Sequence, residues 1–213
     1  MVGCAIAAGL FAPGRGVAQV DIGAQLGFYA PIGALAQRGV KAMPLTYFQK
    51  RLQGTLMLGV SGTFWTSSRL GVEGAFCFVP SSVATTDTTG THDFASGLVL
   101  ASARVVYAFT PLRFTPFPGH REIPWSFYVG AGGGIVSRSG AVWTSSYTTG
   151  LTSPALLVSV GARTALGARL LLRIEVEDYL STAQFDKGLP TETGARTHND
   201  LVVKVSFPYR IVR

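Results

Sequence analysis

The residues best equipped for chemistry in this chain are ionisable groups spaced two apart. Arg173, Glu175 and Glu177 alternate with Ile174 and Val176, and in an extended strand that spacing puts all three on one face. Glu73, Arg104 and Lys204 hold the same kind of position in three other apolar runs, so the set contains three acids and three bases. Three chemistries fit. Glu73 and Glu175 could form the carboxylate pair of a glycosidase. The row could line a gate or an ion path. Or the opposite charges could neutralise one another inside a fold, where an unpaired ion costs several kcal/mol. The balance of signs favours the third, a lumen charge network.

Other candidates are weaker. Gly130-Ala131-Gly132-Gly133-Gly134 has the glycine density of a phosphate loop. Neither GK[ST] nor a helical period follows it, so nucleotide binding is not expected. The histidines His92, His120 and His198 are scattered and show no ligand spacing, so neither a metal nor a cofactor is expected. His198 and the serines Ser145, Ser146 and Ser181 are residue types a lipid hydrolase or acyltransferase uses, and they sit in or beside polar connections. Nothing in the sequence aligns them. The expectation is a chain with no catalytic residues.

Basic residues gather in one long connection (Arg38, Lys41, Lys50, Arg51) and in a later one (Arg113, His120, Arg121). With a formal net charge of +7, they suit anionic lipid headgroups or lipopolysaccharide phosphates. No basic stripe lies on one face, so nucleic acid is not an expected partner.

The elements that must position these groups are strands. Val20, Ile22, Ala24, Leu26 and Phe28 alternate with Asp21, Gly23, Gln25, Gly27 and Tyr29, a period of two. The same alternation returns at residues 55–64, 69–78, 98–109, 125–136, 155–163, 169–177 and 201–209, making eight runs. Between them, long polar connections alternate with short ones. Residues 80–91, rich in Ser, Thr and Gly, read as one of the loops. No helical periodicity of useful length occurs.

Residues 2–12 are a short apolar run, followed by small residues at an A-x-A-like cleavage site that ends at Ala18. They read as a secretory signal peptide over residues 1–18, truncated at its start because no Lys or Arg precedes the run. Residues 19–213 then form one domain. Its composition is unusual: 47% hydrophobic, 14% charged and 26 glycines in 213 residues. That is too apolar for disorder, and no uninterrupted apolar stretch is long enough for a membrane helix. A chain without Cys4 keeps only Cys77, so no internal disulfide is expected.

Two barrels fit eight alternating strands. A soluble one turns the apolar rows inward around a greasy ligand. A transmembrane one turns them to lipid and encloses the charges. Four features favour lipid: charge balance on the polar rows, runs of the crossing length, long polar loops that alternate with short turns, and aromatics at run ends. The aromatics, read as interfacial girdles, are Phe28, Tyr29, Phe64, Trp65, Phe78, Tyr107, Phe109, Trp125, Phe127, Phe207 and Tyr209.

The signal, PWSFYVGAGGGIV (residues 124–136), SSRLGVEGAFCF (67–78) and HNDLVVKVSFPYR (198–210) resemble small eight-stranded outer-membrane β-barrel proteins of Gram-negative bacteria, the OmpA-like and OmpX-like superfamily. One departure is that such chains often end on an aromatic, whereas here four residues follow Tyr209. The resemblance implies an all-β, single eight-stranded antiparallel up-and-down transmembrane barrel in the outer membrane. The resemblance says little about activity; the expectation drawn from the whole sequence is a monomer in contact with outer-membrane lipid and lipopolysaccharide, with a structural or surface-interaction role for four long extracellular loops whose protein partners the sequence does not name. The alternatives are a secreted or periplasmic barrel binding a hydrophobic small molecule, an outer-membrane lipid-modifying enzyme, and a narrow channel.

Overall fold

The computed structural model describes residues 19–32, 36–39, 47–87, 90–109, 112–114, 123–140, 143, 151–167, 169–184 and 195–211. The expected signal segment lies outside them, as do Lys41, His120, Arg121, Ser145 and Ser146, and for Arg38, Lys50 and Arg113 only the backbone is described.

Eleven strands form one antiparallel sheet: β1 (Gln19–Ile32), β2 (Ala36–Gly39), β3 (Tyr47–Leu52), β4 (Thr55–Trp65), β5 (Leu70–Asp87), β6 (Gly90–Ala108), β7 (Leu112–Phe114), β8 (Ile123–Ser139), β9 (Thr152–Ala165), β10 (Leu171–Ala183) and β11 (Arg196–Ile211). Eight of them close a ring in the order β5-β4-β1-β11-β10-β9-β8-β6, completed by β5 pairing with β6. Consecutive ring strands are neighbours, and β1 closes on β11 with Val20 opposite Ile211 and Ile32 opposite Asn199. The architecture is therefore a single up-and-down antiparallel barrel. Closure leaves no sheet edge in the ring, the condition for strands to cross hydrocarbon.

Sequence parity sets which way each side chain points. Along β9, Leu156, Val158 and Val160 are exposed while Leu157 and Ser159 are buried. The same holds around the ring: Ile22, Leu26 and Phe28, then Leu56, Leu58 and Val60, then Val203, Phe207 and Tyr209 all face outward. An apolar belt this continuous is foreign to a water-facing surface and matches hydrocarbon. A barrel built to hold a greasy ligand in water needs these rows to meet in the middle. They do not, which overturns the soluble alternative.

One local expectation fails. Residues 80–91 are strand rather than loop: β5 runs on to Asp87, β6 begins at Gly90, and the two residues are paired. Val79, Val83 and Thr85 alternate inward along this stretch, so β-branched side chains continue the ladder despite the polar composition. Gly90, at φ 144°, supplies the backbone conformation where the chain reverses. The connection after β1 likewise contains structure, since β2 pairs with β3 and β3 pairs with the far part of β5. The end of the ring carrying these long connections is called the outer end below. The other, with the turns after Trp65 and Ala165, is the short-turn end.

Candidate functional site

The interior is the only part of the ring where ionisable groups from many strands converge among the described residues. Parity brings Glu73 inward on β5, directly opposite Arg104 on β6. It does the same for Glu175 on β10 and Lys204 on β11, a second directly opposed pair. Arg104 then reaches across the lumen: its guanidinium pairs with Glu73, and donates to Glu177 at 2.6 Å and to Glu175 at 2.9 Å. Arg173 pairs with Glu73, and lies 3.5 Å from Glu175. Lys204 completes the set, 2.6 Å from Glu177 and 3.5 Å from Glu175. All six residues expected in a lumen network thus lie in one connected cluster. None is more than 3% exposed, so the layer is closed to water.

Neighbouring polar groups finish the layer. Tyr179 donates its hydroxyl to Glu177 at 3.2 Å, Gln25 accepts from Lys204 at 3.4 Å, and Arg173 donates to Tyr128 at 3.1 Å. The Arg173 guanidinium also lies 4.8 Å from the centre of the Tyr128 ring. Oxygens of Glu73, Glu175 and Glu177 all lie within 4.8 Å of one another, a spacing a metal ion could bridge. Their partners are instead the two guanidinium groups and the ammonium that sit among them. The same enclosure argues against a Glu73–Glu175 glycosidase pair, because substrate has no approach to carboxylates held this way.

Gly130, Gly132 and Gly134 of the apparent phosphate loop, and Gly161 on β9, have a packing reason. A Cβ on Gly132 would lie 2.2 Å from the Ala103 carbonyl oxygen, and one on Gly161 would lie 2.4 Å from the Tyr128 ring. Long ionic and aromatic side chains fill the lumen because their wall neighbours have none.

Toward the short turns the interior becomes aromatic. Trp65 is buried and donates from Nε1 to Asp21 at 2.8 Å, while the Arg163 guanidinium stacks 4.0 Å over its ring. Toward the outer end it becomes apolar: Met57, Cys77, Leu98, Leu100, Val136, Leu157 and Val202 belong to one buried cluster. This part was not expected, since the inward rows read as Ser, Gly, Gln and Thr with charges. Tyr29, a member of the same cluster, donates to Asp200, which also takes Arg138 at 3.0 Å.

Two of the expected girdle residues are corrected by this geometry. Tyr29 and Trp65 are buried in the lumen, not set against lipid, because each shares the parity of its strand's polar row. Phe28, Phe64, Phe78, Tyr107, Phe109, Phe127, Phe207 and Tyr209 do face outward, and Trp125 is half-buried. Ser181 and His198 are opposite one another on β10 and β11 and both are buried. The Ser181 hydroxyl accepts from Arg138 at 3.3 Å. That bond places a cation against the oxygen.

No protein-family model matches the chain, and no curated protein matches it. Solved structures do. The chain is similar to the outer membrane protein OprG from Pseudomonas aeruginosa, with a TM-score of 0.60 at 13% identity, over 93% of this chain and 98% of that one. It is similar to the outer membrane protein AlkL, with a TM-score of 0.52 at 19% identity, over 95% of each chain. It is also similar to Neisserial surface protein A, with a TM-score of 0.50 at 12% identity, over 90% of this chain and 96% of that one. At these identities the likeness is one of fold. The fold is that of the small outer-membrane β-barrels.

Proposed function

We propose that this chain is an integral outer-membrane β-barrel acting as a closed, non-enzymatic scaffold, which holds the long connections of its outer end above the membrane. One observation supports this above the others: a lipid-facing ring whose lumen is crossed by a neutral, water-excluding layer of three acids and three bases. A conducting pore needs ions to pass where these side chains interlock, and every partner lost there leaves a buried charge. The apolar belt requires a bilayer as its solvent, and the fold shared with known outer-membrane proteins supports the outer membrane as that bilayer. In this reading the barrel works as a monomer. Its belt contacts outer-membrane lipid, and the basic residues of the outer end, Arg51 among them, face lipopolysaccharide phosphates.

Two measurements test it. Folded protein should migrate differently before and after boiling on a gel and should need detergent for extraction. Reconstituted into planar bilayers, it should give no steady conductance above the bare membrane. Stable ohmic steps would overturn the closed scaffold, and full recovery in the soluble fraction after export would overturn the membrane assignment.

A further inference from the structure

Among the described residues, positive charge gathers between the ion-paired layer and the short turns, where five arginines, Arg69, Arg113, Arg163, Arg169 and Arg210, stand against one carboxylate, Asp21. Asp21 is already committed: it accepts from Gln19 at 2.7 Å and Trp65 at 2.8 Å, and lies 3.5 Å from Arg210. Among the described residues, no carboxylate pairs with Arg69, Arg163 or Arg169.

Two of these arginines stand in the short turns, at the edge of the lipid belt. Arg169 is exposed in the turn before β10 and donates to the Tyr209 hydroxyl at 3.2 Å, and Tyr209 itself lies on the outward apolar row. Arg69 is exposed in the turn before β5. Its carbonyl takes the Ala108 amide at 2.6 Å, which fixes the turn beside the outward-facing Tyr107 and Phe109. The Arg169 guanidinium therefore sits against an aromatic of the girdle, and the Arg69 turn is fixed beside two more, the depth at which a bilayer presents its headgroup phosphates. Arg163 and Arg210 add positive potential at the mouth behind them. A guanidinium fork matches a phosphate in geometry as well as in charge.

Resting on the barrel reading above, we propose that the short-turn end is a docking surface for anionic phospholipid, with Arg69 and Arg169 as the rim residues that engage the headgroup phosphate. The occupant is lipid rather than a soluble anion because Arg169 bonds to Tyr209 of the lipid-facing belt and the Arg69 turn is fixed beside Tyr107 and Phe109 of the same belt.

The test uses the full chain folded into nanodiscs containing equal amounts of phosphatidylglycerol and phosphatidylethanolamine. Folding is verified by the boiling-dependent gel shift, and the lipids retained after release are counted by native mass spectrometry. Wild-type protein should retain phosphatidylglycerol over phosphatidylethanolamine by roughly fivefold or more, each interfacial arginine being worth about that factor. The R69Q/R169Q double variant, altered only at exposed turn positions, should fold and lose most of the preference. Equal retention of both lipids by folded wild type, or survival of the preference in R69Q/R169Q, would each overturn the surface while leaving the barrel intact. A wild-type chain that fails to enter the discs at all would instead overturn the barrel reading, and this inference with it.

Discussion

Two neighbouring parts of the lumen are built on opposite principles. The central layer is ionic: Glu73, Arg104, Arg173, Glu175, Glu177 and Lys204 interlock with partners from across the ring. The outer part is apolar: Met57, Leu98, Leu100, Leu157 and Val202 pack as they would in a soluble core. Both are enclosed by the same wall and generated by the same alternation. The difference concerns tolerance. An apolar layer loses what one side chain contributed when that side chain is trimmed, whereas an ionic layer that loses one member keeps the desolvation cost of the others. Outside the ring, lipid is as apolar as the belt, so outward leucines add little cohesion to the folded state. Cohesion must come from the backbone ladder and from these two fillings.

The largest effect should follow from removing Arg104, which touches all three glutamates. Arg104→Leu is expected to destabilise the barrel by about 3–5 kcal/mol, read as a shift in the urea unfolding midpoint in lipid vesicles. The double variant Arg104→Leu/Glu73→Leu should recover part of the loss, because it restores neutrality. No recovery would mean that shape, not charge, dominates the layer.

Leu157→Ala is the matching change in the apolar part. Leu157 is 1% exposed and lies in the outer cluster. Truncation should cost about 3 kcal/mol by transfer and cavity terms together. Here a second truncation nearby should add to the first, with no rescue. If a paired change in this part restored stability as it does in the ionic layer, the two parts would not differ in kind.

Next in size is Gly132→Ala. Its Cβ would meet the Ala103 carbonyl oxygen at 2.2 Å and the Arg104 Cα at 2.5 Å, both backbone atoms that cannot step aside. A loss of about 2 kcal/mol is expected from overpacking. Gly74→Ala, on the outward face with its nearest atom 3.9 Å from the new carbon, should change the midpoint by less than about 0.5 kcal/mol. Equal effects at the two glycines would show that the wall, not its contents, sets the constraint.

Much of this arrangement is legible in the sequence, because a period of two is a geometric statement. Once Val20, Ile22 and Leu26 are put on one face, Asp21 and Gln25 must take the other, and the ion-paired row of β10 follows from parity alone. What misleads is residue type overriding position. Tyr29 and Trp65 sit at run ends and are aromatic, which suggests a girdle, yet both are odd-numbered on strands whose odd positions turn inward. The apolar outer part was obscured for the same reason: Leu100, Leu157 and Val202 look like noise beside apolar neighbours, although they mark inward positions. Residues 80–91 were hidden by composition, since Ser and Thr serve strands as well as loops. How Arg104 reaches three carboxylates on two other strands is a matter of ring closure, which no local pattern encodes.

The boundary between the two parts offers the smallest and most discriminating change. Cys77 is fully buried, belongs to the apolar cluster, and points its thiol at the Gln25 side-chain oxygen 3.3 Å away. That same oxygen receives Lys204, so Cys77 touches the ionic layer through one intermediary. Cys77→Ser keeps the donor and its acceptor while making the group more polar. If the position belongs energetically to the ionic side, the stronger hydroxyl bond offsets the added desolvation, and the midpoint should move by less than about 1 kcal/mol. If it belongs to the apolar side, the hydroxyl is a polar intruder among Leu100 and Met57, and the cost should approach that of an unsatisfied buried group, about 1–3 kcal/mol. Cys77→Ala provides the reference, because it removes the donor and adds no polarity. Serine less stable than alanine assigns Cys77 to the apolar part, and serine more stable than alanine extends the ionic layer by one residue.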